Sequence, residues 1–150
     1  MADVASGFRS FLVNNTGTNV TSIVGAGALA RIIPDDLPQD IQLPCVIYSK
    51  INTNHEHVIG SDWGRGGMAT CRLELECYAS TRSASSSLAD TIMDCVCGPL
   101  YRLRGVYGGV NFLDVMVGQG ARTFNDTPTD GSDERRYVTV VEFMVSYLDE

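Results

Sequence analysis

Residues 68–99, MATCRLELECYASTRSASSSLADTIMDCVCGP, change their periodicity halfway along, and that change decides the fold class. In the first half Cys71, Leu73, Leu75, Cys77 and Ala79 alternate with Thr70, Arg72, Glu74, Glu76 and Tyr78. Successive side chains of a strand point to opposite faces of a sheet, so a period of two marks a strand that is apolar on one side and polar on the other. In the second half Ala84, Leu88, Ile92 and Val96 recur every fourth residue with Cys95 alongside, which makes one apolar helical stripe. Ser80, Thr81 and Ser83 offer N-cap oxygens. Gly98-Pro99 ends the run, because glycine tolerates the left-handed cap and proline cannot continue the ladder. The stretch therefore predicts a strand followed by a helix over 83–97 that lies on the sheet.

The flanking segments supply the rest of that sheet. Upstream, Val4, Phe8, Phe11 and Leu12 at helical spacing behind Asp3 predict a short first helix, and 14–19 (NNTGTN) a loop. Residues 28–33 read as a short strand ending at Pro34, and the proline-rich 34–44 as a connector. The β-branched and aromatic run 45–51 predicts a strand continuing toward His57-Val58, with 59–67 as a hairpin tip carrying the only tryptophan. Downstream, 100–109 reads as an irregular turn and a glycine-rich bend. Residues 110–123 then form a strand with a bulge near Gly118 and Gly120, and 125–133 a loop. In 135–148 apolar residues occupy both faces, which predicts a central strand covered on both sides. The sum is an α+β fold: a single, mainly antiparallel or mixed sheet of about five strands with two helices packed on one face. Only the crossover through the 83–97 helix is long enough for a parallel pairing. At 150 residues one domain over 1–150 is expected.

A net charge of −7 with a single lysine, Lys50, argues against a nucleic-acid-binding surface, which neutralises phosphates with cations. The five cysteines, Cys45, Cys71, Cys77, Cys95 and Cys97, are odd in number and mostly within predicted strands or helix, and read as reduced, buried thiols. The N-terminus lacks a basic start followed by an apolar run, and the longest apolar stretch, 23–33, is interrupted by Arg31 and too short for a bilayer. No membrane association is expected.

Chemistry-bearing motifs fail on context. Gly25, Gly27 and Ala30 spell the dinucleotide pattern GxGxxA, which needs a preceding strand, a full helix and a later acid. Pro34 would break such a helix within two turns, so the glycines read as a turn. His55 and His57 would share one face of a strand, but no third ligand is placed near them. Cys95 and Cys97 on a helix diverge by roughly 200°, which disfavours a shared metal. The acids at 126, 130, 133 and 134 lack a calcium loop's third ligand and closing glutamate. No GxSxG occurs. No catalytic residue, cofactor site or metal site is expected, and the chain reads as a non-enzyme.

The order of segments resembles the tail completion, or tail terminator, family of long-tailed phages, over about residues 20–148. Val24-Gly25 with Ala30-Arg31-Ile32-Ile33-Pro34 is similar to the family's glycine and Arg-Ile-Tyr-Pro-like strand, with Ile33 where an aromatic is commoner. Leu37-Pro38-Gln39 and Leu43-Pro44-Cys45-Val46-Ile47-Tyr48 resemble its Pro-Gln and Pro-x-Val-x-Tyr passage. Residues 73–81 (LELECYAST) resemble its Tyr-Ala-x-Thr strand, and Phe124-Asn125-Asp126, then Arg136-Tyr137, lead into a closing strand with Tyr147. The insertion at 14–19 and the bulky 59–67 loop depart from the pattern.

The resemblance implies a virion protein that forms a ring, commonly a hexamer, on the head-proximal end of the tail tube. Such a ring stops tube polymerisation and joins the tail to the head connector. Its implied partners are further copies of itself, the major tail tube protein and a head-completion protein. DNA passes through the lumen without specific binding. The implied location is the tail-neck region of the virion, after assembly in the host cytoplasm. Asp62, Trp63, Arg65, Asp126, Asp130, Asp133 and Glu134 are the candidate contact residues, in loops suited to subunit, tube or lumen contacts. The alternatives are another neck or minor tail component of similar fold, or a small nucleotide- or metal-binding module.

Overall fold

The computed structural model describes residues 3–17, 19–38, 41–56, 67–98, 101–127 and 135–149. One six-stranded sheet has the order β1-β2-β3-β6-β5-β4. The strands are β1 (Ile32–Pro34), β2 (Cys45–Glu56), β3 (Gly67–Ala79), β4 (Gly105–Tyr107), β5 (Val110–Asn125) and β6 (Tyr137–Asp149). Three helices accompany it: α1 (Val4–Asn14), the single turn α2 (Thr21–Val24) and α3 (Arg82–Val96). The sheet is thus larger than the five strands expected. The added strand is β4, three residues long and at one end of the order, where no periodicity long enough to read can accumulate.

β3 buries every residue on its apolar side, and its polar side is half-buried apart from Tyr78 at its end, as its alternation demands. β6 lies between β3 and β5, the central place expected for a strand apolar on both faces. Its inner residues Val141, Phe143 and Val145 are fully buried, while Val140, Met144 and Leu148 on the other side are half-buried. The inner row joins Phe8, Phe11 and Leu12 of α1 and Leu88, Ile92 and Val96 of α3 in one apolar cluster. Phe8 meets Phe143 with ring centroids 5.7 Å apart. Thr139, an alcohol on this inner face, is satisfied by Ser85 Oγ of α3 and Thr123 Oγ1 of β5, each at 2.9 Å.

The ends of the helices follow from side-chain chemistry. Asp3 Oδ2 accepts from the backbone N–H of Ser6 at 3.3 Å, and Thr81 Oγ1 accepts from that of Ala84 at 3.1 Å. α1 reaches both margins of the sheet. Arg9 Nε donates to the Ile32 carbonyl at 2.9 Å, and a Cβ on Gly7 would stand 2.8 Å from the Tyr107 carbonyl oxygen. A six-strand sheet can touch one helix at both margins only by curling around it.

The parallel pairing falls elsewhere than expected. β3, α3 and the strands after it form no parallel neighbours, because β6 inserts between β3 and β5. The parallel pair is β1 with β2, joined through the 35–44 connector. That connector folds over the outer face, where Leu37, Ile41 and Leu43 pack on Cys45, Ile47, Tyr78 and Val138 in a second, smaller cluster.

The GAGALA segment follows the single turn α2 and enters a 3-10 turn over Gly27–Leu29. Gly25 and Gly27 take φ of 95° and 64°, the left-handed region that favours glycine. The strand expected over 28–33 is displaced to Ile32–Pro34 by this turn.

Candidate functional site

The described residues contain no group of three or more His, Cys, Asp or Glu side chains that could hold a metal. No described helix is long and apolar enough to cross a membrane. A shallow cleft lies beside β1, lined by Asp3, Ser6, Pro34, Asp35, Tyr48 and Lys50. Lys50 Nζ stands 3.8 Å from Asp3 Oδ1 there, with both side chains about half exposed. The surfaces with more to offer are the outer sheet face and the two sheet margins.

Outside the area covered by the connector, the outer face has a charged centre, where Glu142 of β6 lies opposite Glu74 of β3 and Gln119 of β5. Arg72 on β3 donates to Glu142 Oε1 on β6 through Nε at 2.8 Å and Nη2 at 2.7 Å. The Glu142 side chain is 9% exposed and the Arg72 side chain 37%, so the carboxylate is held inside while the guanidinium reaches the surface. A Cβ on Gly118 would lie 2.9 Å from Glu142 Oε1, so β5 passes directly over the carboxylate at a position that only glycine fills without displacement. β5 shifts register between Val117 and Gln119 and again between Gln119 and Arg122, where the bulge was expected.

The far half of β5 is exposed on both faces: Met116 is 60% exposed, Val117 40% and Phe124 46%. Arg122 lies over the Phe124 ring at 5.7 Å. Across the molecule Leu29, in the 3-10 turn before β1, is 87% exposed. Sequence reasoning passed over these residues. The available signal was VMVGQGARTF itself, in which apolar side chains and small residues mix without the alternation that one buried face imposes.

Of the expected contact residues, Asp126 lies within the described structure. Its Oδ2 accepts from Arg136 Nε at 3.0 Å, and Arg136 also sits 5.7 Å above the Tyr78 ring. Asp126 is therefore one half of an internal ion pair at the base of the β5–β6 connection. Asp62, Trp63, Arg65, Asp130, Asp133 and Glu134 lie outside the described residues. The elements nevertheless separate the two loops. Register pairs Gly67 with Asp149 at one end of β3 and Ala79 with Tyr137 at the other, so the 57–66 and 128–134 connections leave from opposite ends of the sheet.

All five thiols are free, four of them buried and Cys97 partly exposed. Burial pushes Cys45 up to about 11, against the smaller opposing pull of Arg31 and Arg136, and raises the other four as well. None is poised as a nucleophile.

No family model matches the sequence, and no curated protein does. Among solved structures, a chain from "Virion of native gene transfer agent (GTA) particle" is similar in fold, with a TM-score of 0.55 and 10% identity. The likeness covers 96% of this chain and 94% of that one.

Proposed function

We propose that this chain is a structural protein of a phage-like virion that forms a ring at the head-proximal end of the tail tube. There it ends tube polymerisation and presents a surface to the head connector. The observation that carries the reading is the fold likeness to a virion chain over nearly the whole length of both molecules. The ordered resemblance of segments to tail terminators supports it from the sequence side. In this reading the chain is one domain, assembles as a hexamer in the host cytoplasm, and passes DNA through its lumen without gripping it. A net charge of −7 suits that passage, because a surface short of cations does not hold phosphates. Its work is contact rather than catalysis.

The two connections leaving opposite ends of the sheet suit a molecule with one neighbour above and another below. The likeness is to a chain of a whole particle with no position within it, which keeps a neighbouring neck component as a second reading. Electron microscopy of tails assembled with and without the protein separates the two. Overlong tubes in its absence are the expected result. Tails of normal length that lack heads would transfer the role to another neck position.

A further inference from the structure

We infer that the seam between subunits joins the two unlike margins of the sheet, the β1–β2 margin of one copy receiving the β4–β5 margin of the next. The inference rests on the ring reading above and names the surfaces that close it.

Two long strands have outer edges mostly without partners among the described residues. β5 is 16 residues long, but β4 pairs only with Val110, Asn111 and Phe112. β2 is 12 residues long, but β1 pairs only with Val46, Ile47 and Tyr48. An open row of backbone N–H and C=O groups is a template for another strand, and folds that avoid edge pairing cover or shorten such rows. Here the open part of β5 instead carries Met116 and Phe124, both largely exposed.

The occupant follows from direction and charge. β2, β3, β6 and β5 alternate in direction, so β5 runs opposite to β2. Moving a second copy sideways, without turning it over, sets its β1, which runs parallel to β2, antiparallel to the open part of the first copy's β5, and its open β2 beside β4. The helix-bearing faces of both copies then lie on the same side of the seam.

Asp35 and Asp36, at the end of β1, are exposed, and so are Arg104 and Arg122 on the other margin. Among the described residues these two arginines form no ion pair, whereas Arg102 beside them is committed to Asp114 at 2.6 Å. The heights agree for one pair, Asp35 and Arg122. Asp35 N–H donates to the Tyr48 carbonyl at 2.9 Å, and Tyr48 is level with Leu75 and hence with Val141. Arg122 is level with the adjacent Val140. A sideways step therefore brings Asp35 of one copy beside Arg122 of the next. A two-fold pairing of β5 on itself would instead gather the arginines of both copies on one seam. Joining unlike surfaces head to tail is the arrangement that generates rings.

The test reverses each margin separately in the full-length chain: Arg104→Glu with Arg122→Glu in one variant, Asp35→Asn with Asp36→Lys in the other. Asparagine is chosen at 35 because φ there is 65°. Assembly is measured by sedimentation in low salt and by occupancy of purified tail tubes. Each variant alone should assemble at least ten-fold more weakly than the native chain, with an unchanged thermal midpoint. An equimolar mixture should restore rings, because every seam in it then joins opposite charges. Variants that assemble like the native chain, or a mixture that stays dissociated, would overturn this seam and leave the ring reading standing. A native chain that forms no ring, free or on tubes, would overturn both. Should a reversal variant fail to fold, Arg104→Ser with Arg122→Ser and Asp35→Asn with Asp36→Asn test each margin singly, each expected to assemble more weakly than the native chain, and native-like assembly of both would overturn the seam.

Discussion

Replacing Gly7 with alanine sets two effects of opposite sign against each other. In an open helix interior, alanine is favoured over glycine by about 1 kcal/mol, because glycine loses more backbone freedom on folding. Gly7 lies within α1, so that gain applies. The new methyl, however, would stand 2.8 Å from the Tyr107 carbonyl oxygen and 3.1 Å from two carbons of the Phe112 ring. The oxygen belongs to β4, whose Tyr107 is held in register with Val110, so it cannot swing aside as a flexible side chain would. Gly108 backs the same contact, since a Cβ there would lie 3.0 Å from the Gly7 Cα. Overpacking of this kind costs about 1–3 kcal/mol. With the clash placed near the top of that range, because backbone must move, the net loss is about 1–2 kcal/mol. For a chain of this size that lowers the thermal midpoint by about 4 °C. Urea unfolding should show a lower midpoint at unchanged slope. An equal or higher midpoint for Gly7→Ala would refute the close seating of α1 on β4.

Three further outcomes follow from the same packing. Arg72→Ala leaves the nearly buried Glu142 carboxylate without its guanidinium and should cost about 2–3 kcal/mol in urea unfolding. That is less than a fully buried pair because Arg72 reaches solvent, and a loss under about 0.5 kcal/mol would show that water takes its place. Thr81→Ala removes the oxygen that accepts from Ala84 N–H and should cost about 1 kcal/mol, with a matching fall in the urea midpoint; no change would mean that Ser80 or Ser83 caps α3 instead. The raised thiols predict that at pH 8 a disulfide reagent labels Cys97 first and the other four only on unfolding. Because the folded chain holds these protons more tightly, stability present below about pH 9 should decline as pH rises towards 11. Rapid native labelling of all five would contradict the burial.

The parts of the fold legible in the sequence are those with enough residues to show a period. β3 alternates over thirteen residues and α3 repeats over fifteen, and both lie within a few residues of where the pattern puts them. β4 spans three residues, shorter than one readable repeat, and β1, expected from residue 28, keeps only Ile32–Pro34 because a 3-10 turn takes the residues before it. The connector could not be placed on the outer face from sequence, because Leu37, Ile41 and Leu43 read as isolated apolar residues among prolines. For the contact surface, loop composition pointed to Asp126, which pairs with Arg136 while 44% exposed, and it gave no sign of the exposed apolar side chains along β5. A residue's partner across a sheet is a property of register, and composition carries no trace of it.

The ladder between β3 and β6 runs without a register shift from Gly67 opposite Asp149 to Ala79 opposite Tyr137. β3 starts from the connection at one end of this ladder, and β6 starts from the connection at the other. A pull applied between those ends would slide the two strands along each other instead of peeling them apart. Every rung would then bear a share of the load at once, whereas an unzipping geometry breaks them in turn. The ladder thus behaves as a shear-loaded splice, stiffest along the direction of its strands.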